Sequence, residues 1–479
     1  MLDRTRMTPQ FVSTTRMNAT EMVLAGQDVG NVLAEYHTRL DVLDDFLKTA
    51  SSSHYYSYYF GISLSDGGYA RDGVGVYGSL YQPNELISVE IDGNKYVFVT
   101  SSGNDAIYCM NASDLNHQRG TQMQLVYLFN SANNPTIGSA LDGPTALAYA
   151  NIGSKHYLFV TTMVSDGLMI IDITDPRNMD MVKYLDDSNT LYDKLGNPRG
   201  VTTHKIGSSW YCVVASYSDP GYGGNGIMIL NVDDPAVPYK ITSLTDSLNG
   251  FNCLSNPWGV DMLDIDGVPF LFVAGYSDDC VQIIDMSIPS TPVAAFGFTR
   301  LLQPFAYLDG VKRVKAFSVG ARSYVMASGV SDYTTVVLDV TDPYAPTVAT
   351  SMSQTVSKSK SGRQFLGVGS DASHQGGIRT YKTLDALGRV CTFGVMVGHW
   401  SYGSLQLVDL SDPSDPYPVA WIQGQTSSSG NYYVMYYYPW DVEVVESNGN
   451  HFALVSVYSS YESTSYPNGV QVVKLDTGY

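Results

Sequence analysis

Residues 168–176 read LMIIDITDP, and the pattern returns at 227–235 (IMILNVDDP), 281–289 (VQIIDMSIP), 335–343 (TVVLDVTDP) and 405–413 (LQLVDLSDP). Looser copies stand at 107–114 (IYCMNASD) and 470–476 (VQVVKLD), which makes seven. Each begins with an apolar run of strand character, followed in six copies by Asp or Asn and in several by Asp-Pro. Alternate side chains on such a strand face opposite sides of a sheet. The Asp or Asn can accept backbone N–H groups just beyond it and hold a turn. Pro ends the strand because it has no N–H to give to a ladder.

Each copy has similar surroundings. A second strand lies upstream, as at 157–161, 211–215, 270–274 and 452–457. A third lies further upstream and often follows Gly-Pro or Asn-Pro, with examples starting at Pro144, Pro198, Pro257 and Pro439. A fourth short run follows the turn, as at 181–185 or 292–298. A four-stranded unit of about 50–60 residues cannot cover both of its own faces, whereas units stacked radially cover one another and leave only short edges. The expected fold is therefore all-β: a seven-bladed β-propeller of four-stranded antiparallel blades. The last unit runs out of chain after three strands. The stretch 55–64 (YYSYYFGISL), just ahead of the first unit, is expected to supply the fourth and fasten the ring.

This divides the chain into residues 1–50, a tail with an amphipathic helix, and residues 51–479, the propeller. In the first part Asn18 or Thr20 suits a helix N-cap, with Glu21 in the first turn. Val29, Leu33, Tyr36, Leu40, Leu43 and Leu47 then follow at alternating steps of four and three, a heptad seam. Either this N-terminal helical extension lies against the propeller, or residues 20–48 pair with copies of themselves in a homo-oligomer. Gly26 and Gly30 weaken its first turns.

Composition narrows the function. Apolar residues are 44% and charged residues 15%, which is globular rather than disordered. The net charge of -19 argues against a general nucleic-acid binder. No run approaches a membrane span, and the N-terminus lacks the continuous apolar stretch of a signal peptide. The five cysteines, Cys109, Cys212, Cys253, Cys280 and Cys391, include no CxxC pair, and an odd number leaves at least one thiol. No GxSxG, HExxH or P-loop motif is present. The eight histidines are scattered, with no spacing that makes a metal set.

The strands MIIDITDP, MILNVDDP, QIIDMSIP, VVLDVTDP and QLVDLSDP resemble those of the LVIVD-repeat proteins, a group of β-propeller repeat proteins. The likeness covers roughly Pro83 to Tyr479. It implies the architecture and no reaction. It also implies a surface or exported location, which the N-terminus does not support, so the compartment stays open.

In such a ring the loops entering each innermost strand share one face with the loops between second and third strands. The first residue after the entering Pro or its equivalent is Asn84, Thr145, Arg199, Trp258, Lys312, Arg379 or Trp440. These seven are candidate ligand residues on the funnel rim. Three cations and two tryptophans suit an anion and a sugar or planar ring. The competing reading is that the cations pair with Asp441, Asp261 or Glu85 and plug the funnel. Longer loops add Tyr217, Tyr222, Trp400, Tyr402, Tyr437, Tyr458 and Tyr461, the Tyr–Ser–Gly composition of recognition surfaces. The second loop set carries Asp105, Asp166, Asp219, Asp278, Asp279 and Asp332. Spread across different blades, they read as turn-formers rather than a calcium loop. No cofactor is expected, with calcium left open at one enlarged loop.

Three functions follow. The first is a non-enzymatic binding or scaffolding propeller whose partner is a protein or glycan. The second is an enzyme acting on an anionic or carbohydrate substrate in the funnel. The third is an assembly subunit joined through its helix.

Overall fold

The computed structural model describes residues 63–71, 80–115, 123–217, 225–299, 308–331, 334–352, 374–385, 387–399, 404–423, 439–457 and 469–476. The proposed helix of residues 20–48 lies outside them. These residues form seven four-stranded sheets. Six are built from consecutive strands, with innermost strands Pro83–Ile91, Pro144–Ile152, Pro198–Ile206, Pro257–Ile265, Val311–Val319 and His374–Leu384. The seventh runs Pro439–Ser447, Asn450–Val457, Gly469–Asp476 and then Ser63–Arg71. The first and last described strands thus share one sheet. The outer strand begins at the last two residues of the expected 55–64 stretch and extends beyond it; residues 55–62 lie outside the described set.

Every innermost strand contacts the innermost strands on both sides, the first against the last included. The core accordingly lies between blades. One cluster joins Leu86, Val97 and Tyr108 of blade one to Val445, Phe452 and Val472 of blade seven. Equivalent clusters join blades one to two, two to three, three to four, four to five and five to six. The third strands that carry the repeat are nearly continuous buried runs, as in Gly167–Asp172 and Cys280–Asp285. Such runs suit strands covered on both faces.

The polar part of the repeat is accounted for by hydrogen bonds. The residue closing the third strand accepts the N–H two positions on: Asp172 from Thr174 (2.9 Å), Asn231 from Asp233 (3.1 Å), Asp285 from Ser287 (2.8 Å), Asp339 from Thr341 (3.0 Å) and Asp409 from Ser411 (2.8 Å). The Asp of Asp-Pro repeats the device, as Asp175 does with Arg177 and Asp342 with Tyr344, both at 3.0 Å. The hydroxyl between them accepts an N–H from the second strand, as Thr174 does from His156 and Ser411 from Thr392. These are side chain–backbone turns of the kind Asp, Ser and Thr favour.

A second device ties each of blades one to four to the next. The residue just before the third strand has positive φ, and its side chain accepts the N–H of the residue just before the next blade's innermost strand. Asp105 takes Gly143 (2.9 Å), Asp166 takes Asn197 (2.6 Å), Asn225 takes Asn256 (2.6 Å) and Asp279 takes Gly310 (2.8 Å). All eight residues have φ between 48° and 67°. Asp and Asn tolerate this region better than other side chains. The second-loop aspartates 105, 166 and 279 are therefore fasteners between blades. Asp278 instead accepts Ser255 (2.8 Å), while Asp219 and Asp332 lie outside the described residues.

Cys253 and Cys280 form a disulfide with Cα atoms 5.7 Å apart, so Cys280 is no free thiol. Cys109 and Cys212 are buried thiols and Cys391 is half-buried. Among the described residues no helix is long and apolar enough to cross a membrane, and no group of three or more His, Cys, Asp or Glu is placed to hold a metal.

The fastener gives a direct expectation. Asp166→Ala removes the acceptor for Asn197 and places a β-carbon residue without polar compensation at positive φ. It should cost about 1–3 kcal/mol of stability by denaturant unfolding. Asp166→Asn, which copies Asn225, should cost far less; equal losses for the two variants would refute the assignment.

Candidate functional site

Strand register fixes which residues are equivalent. Each innermost strand starts with a bulge: Pro83 faces Ser101 and Leu86 faces Val99, and Pro257 faces Gly275 and Val260 faces Val273. In blade six Gln375 faces Gly398 and Ile378 faces Met396. The position shared with Asn84, Thr145, Arg199, Trp258, Lys312 and Trp440 is therefore Gly376. Arg379 stands three residues further along, level with Asp261, Lys315 and Glu443.

The seven expected rim residues sit in different settings. Asn84 is buried and donates to the Pro144 carbonyl (3.2 Å). The Thr145 hydroxyl donates to the Pro198 carbonyl (3.3 Å) and meets the Thr161 hydroxyl (2.9 Å). Both link neighbouring blades. Trp440 is half-buried at the start of blade seven.

Arg379 pairs with carboxylates, as the plugging alternative expects. Its Nε donates to Glu443 (2.9 Å), and its Nη2 lies 3.3 Å from Asp441 and 3.6 Å from Glu85. It also donates to the Leu86 carbonyl (3.3 Å). The guanidinium thus joins blade six to blade seven and blade one, across the place where the ring closes. Asp441 is fully buried and also accepts the Leu86 N–H (3.2 Å). Ser88 donates to Glu443 (2.7 Å). Burial alone would lower the Arg379 pKa, but Asp441, Glu443 and Glu85 outweigh it and raise it. Three carboxylates against one guanidinium leave excess negative charge. Glu85 absorbs it: burial, then the Asp441 carboxylate, push its pKa up to about 7, against the opposing pull of Arg313 and Arg379. Asp261 likewise takes a cation, but it is Lys315 (2.8 Å) rather than Lys312.

Arg199, Trp258 and Lys312 are brought together on blades three, four and five. The Arg199 guanidinium lies 4.8 Å from the centre of the Trp258 ring and 5.7 Å from that of Tyr217. The Lys312 Nζ lies 4.3 Å from Trp258 and 5.2 Å from Tyr276. The rings touch: Tyr217 meets Trp258 edge-on at 5.7 Å, and Trp258 and Tyr276 are 5.9 Å apart. All five side chains are half-buried. Two small residues allow this spacing. A Cβ on Gly200 would strike the Trp258 carbonyl, and one on Gly259 would come within 2.6 Å of the Lys312 carbonyl. The Cys253–Cys280 bridge closes the loop that bears both Trp258 and Tyr276. Among the described residues no carboxylate forms an ion pair with Lys312. Burial first, then Arg313 and Arg199, lower its pKa to about 8.

Of the expected recognition residues only Tyr217 is described, and it belongs to this cluster; Tyr222, Trp400, Tyr402, Tyr437, Tyr458 and Tyr461 lie outside the described residues. Tyr276 is an addition. It follows its second strand as Tyr217 does, and the shared wording ASYSD (215–219) and AGYSD (274–278) is the signal that identifies it. Arg313, Lys315 and Glu443 are further additions. They are visible only once register aligns the innermost strands.

No protein-family model matches the chain, and no curated protein matches it; the likeness to LVIVD-repeat proteins rests on the quoted strands alone. Among solved structures it is similar to a periplasmic gluconolactonase from Pseudomonas aeruginosa, at 10% identity and a TM-score of 0.44, covering 68% of this chain and 85% of that one. A hypothetical selenium-binding protein from Sulfolobus tokodaii is similar at 12% identity and a TM-score of 0.49, covering 82% and 90%. A functionally unknown protein from Desulfotomaculum acetoxidans matches at 12% and 0.45, covering 71% and 86%. At these identities none of their activities transfers to this chain.

The seam network has a pH signature. The folded pKa of Glu85 is raised from 4.5 to about 7. Its contribution to stability is thus full below pH 4.5 and is lost as pH rises through about 7. Glu85→Gln stays neutral throughout. At pH 8 it should be the more stable protein by thermal melting, with the gap closing by pH 5; a gap that does not change with pH would contradict this account.

Proposed function

We propose that this is a binding propeller whose ligand is an acidic glycan, seated at Arg199, Lys312, Trp258, Tyr217 and Tyr276. The observation that carries the reading is the convergence of an ammonium and a guanidinium on one indole ring, at 4.3 and 4.8 Å. Elsewhere on the innermost strands, Lys315 and Arg379 are matched to carboxylates. Here the charges meet aromatic faces, which attract cations without neutralising them. Among the described residues no carboxylate forms an ion pair with Lys312, in a protein of net charge -19. A ligand carboxylate or sulfate would meet Arg199 and Lys312, while a sugar ring would lie on Trp258 or a tyrosine. The rings are packed against one another beforehand, so little ordering is left for the ligand to impose.

Titration calorimetry with hyaluronate oligosaccharides, against neutral dextran oligosaccharides of equal length, tests the reading. The acidic series should bind and weaken with added salt. Trp258→Ala should weaken it at least tenfold, and Arg199→Gln to a similar extent. Equal affinity for the neutral series, or binding unchanged in both variants, would reject the proposal.

A further inference from the structure

The loop that leads into blade four is held residue by residue. The Asn252 N–H donates to the Gln282 side chain (3.1 Å), that of Leu254 to Asp246 (3.0 Å), that of Ser255 to Asp278 (2.8 Å) and that of Asn256 to Asn225 (2.6 Å). Cys253, between the first two, is bonded to Cys280. The same stretch is laced to the segment that bears Tyr276. The Tyr276 N–H donates to the Asn256 carbonyl (3.4 Å), the Ser277 N–H to the Ser255 carbonyl (3.2 Å), and the Asn256 side-chain amide to the Ser277 hydroxyl (2.9 Å). Register sets Gly275 opposite both Pro257 and Cys280. A Cβ there would strike the Cys253 carbonyl, so the glycine lets the loop lie close on the strand. Trp258 follows just after the held stretch and Tyr276 just after Gly275. The bond spans a sequence separation of 27 residues, with Trp258 near one end and Tyr276 near the other. These are the two rings on which the Lys312 ammonium rests.

We propose that the Cys253–Cys280 disulfide is a redox control on the ligand site: bonded, it holds Trp258 and Tyr276 at the spacing that takes the ligand, and reduced, it releases them. This rests on the acidic-glycan reading above and adds its regulation. The reductant is a dithiol. One of its thiolates attacks a cysteine sulfur, the S–S bond breaks, and its second sulfur then displaces the first cysteine from the mixed disulfide. Two electrons and two protons pass to the protein, which gains two thiols, while the dithiol becomes a disulfide. Without the bond the loop ends are tied by hydrogen bonds alone, and the entropy of the loop works against them. Only the fraction of molecules with both rings in place binds, so affinity falls with that fraction. The coupling is reciprocal: a ligand that prefers the bonded form makes the bond harder to reduce. Both sulfurs are buried, so the reductant reaches them only when the loop opens, and a ligand lying on Trp258 and Tyr276 opposes that opening.

The test compares the full-length protein oxidised and reduced with dithiothreitol. Titration calorimetry with hyaluronate oligosaccharides should show binding about tenfold weaker after reduction, a preorganisation loss of ordinary size. The double variant Cys253→Ser with Cys280→Ser should bind as the reduced protein does and no longer respond to dithiothreitol. Asp105→Ala removes the fastener between blades one and two; it should lower the melting temperature and leave the affinity unchanged. The reciprocal measurement equilibrates the protein in dithiothreitol redox buffers, followed by alkylation and peptide mapping of Cys253 and Cys280. Saturating hyaluronate should make their reduction potential about 30 mV more negative, the two-electron equivalent of that tenfold, and neutral dextran oligosaccharides should not move it. If the double variant does not fold, the potential shift in the unaltered protein decides. Equal affinity in the two redox states, or a potential that saturating hyaluronate does not move, overturns the proposal and leaves the binding reading standing. An equal loss of affinity in Asp105→Ala also overturns it, because general loosening of the ring would then account for the effect. Absence of hyaluronate binding by the oxidised protein overturns both.

Discussion

Each sheet here is apolar on both faces, and neither face can be covered by the sheet itself. Burial therefore requires a neighbour on each side, which only a closed circle provides for every blade. The critical contact is the one that closes the circle, where Val445, Phe452 and Val472 of blade seven meet Leu86 and Val97 of blade one. Two features concentrate on that closure. The seventh sheet borrows its outer strand, Ser63–Arg71, from the other end of the sequence. Arg379 joins the carboxylates of blades seven and one, and the energetic cost of packing three acids there falls on Glu85. Breaking such a buried pair from one side would leave uncompensated charge.

Four cations on the innermost strands fall into two environments. Arg379 and Lys315 meet acids, whereas Arg199 and Lys312 meet aromatic rings. The first arrangement closes the electrostatics of the protein on itself. The second sets both cations against ring faces, and the disulfide from Cys253 to Cys280 closes the loop that bears Trp258 and Tyr276. Function is read from that asymmetry, since the repeat itself is nearly uniform around the ring.

Much of the architecture was legible because its determinants are local. An apolar run closed by Asp-x-Thr-Asp-Pro encodes a strand, two side chain–backbone turns and a stop within nine residues, and Asp172, Thr174 and Asp175 behave accordingly. Features that span blades were harder to read. Asp166 finds its partner at Asn197, and Cys253 finds Cys280, so no short motif contains either pair. Arg379 was misplaced by three residues because blade six enters without the proline that marks blades one to four and seven, so that only strand register shows Gln375 to be its counterpart. Tyr276 was visible beside Tyr217, but only register shows that both rings lean on Trp258.

The fastener between blades also bears on how the molecule ages. Asn225 precedes Gly226, and an asparagine followed by glycine is especially prone to losing its amide through a cyclic imide. If the ring opens to ordinary aspartate, the oxygen that receives Asn256 survives, and blade three simply acquires the residue that blades one, two and four already use. If it opens the other way, a methylene enters the main chain directly ahead of a buried strand. One chemical event at one residue thus has a harmless branch and a damaging branch, and the difference lies in the backbone rather than in the bond.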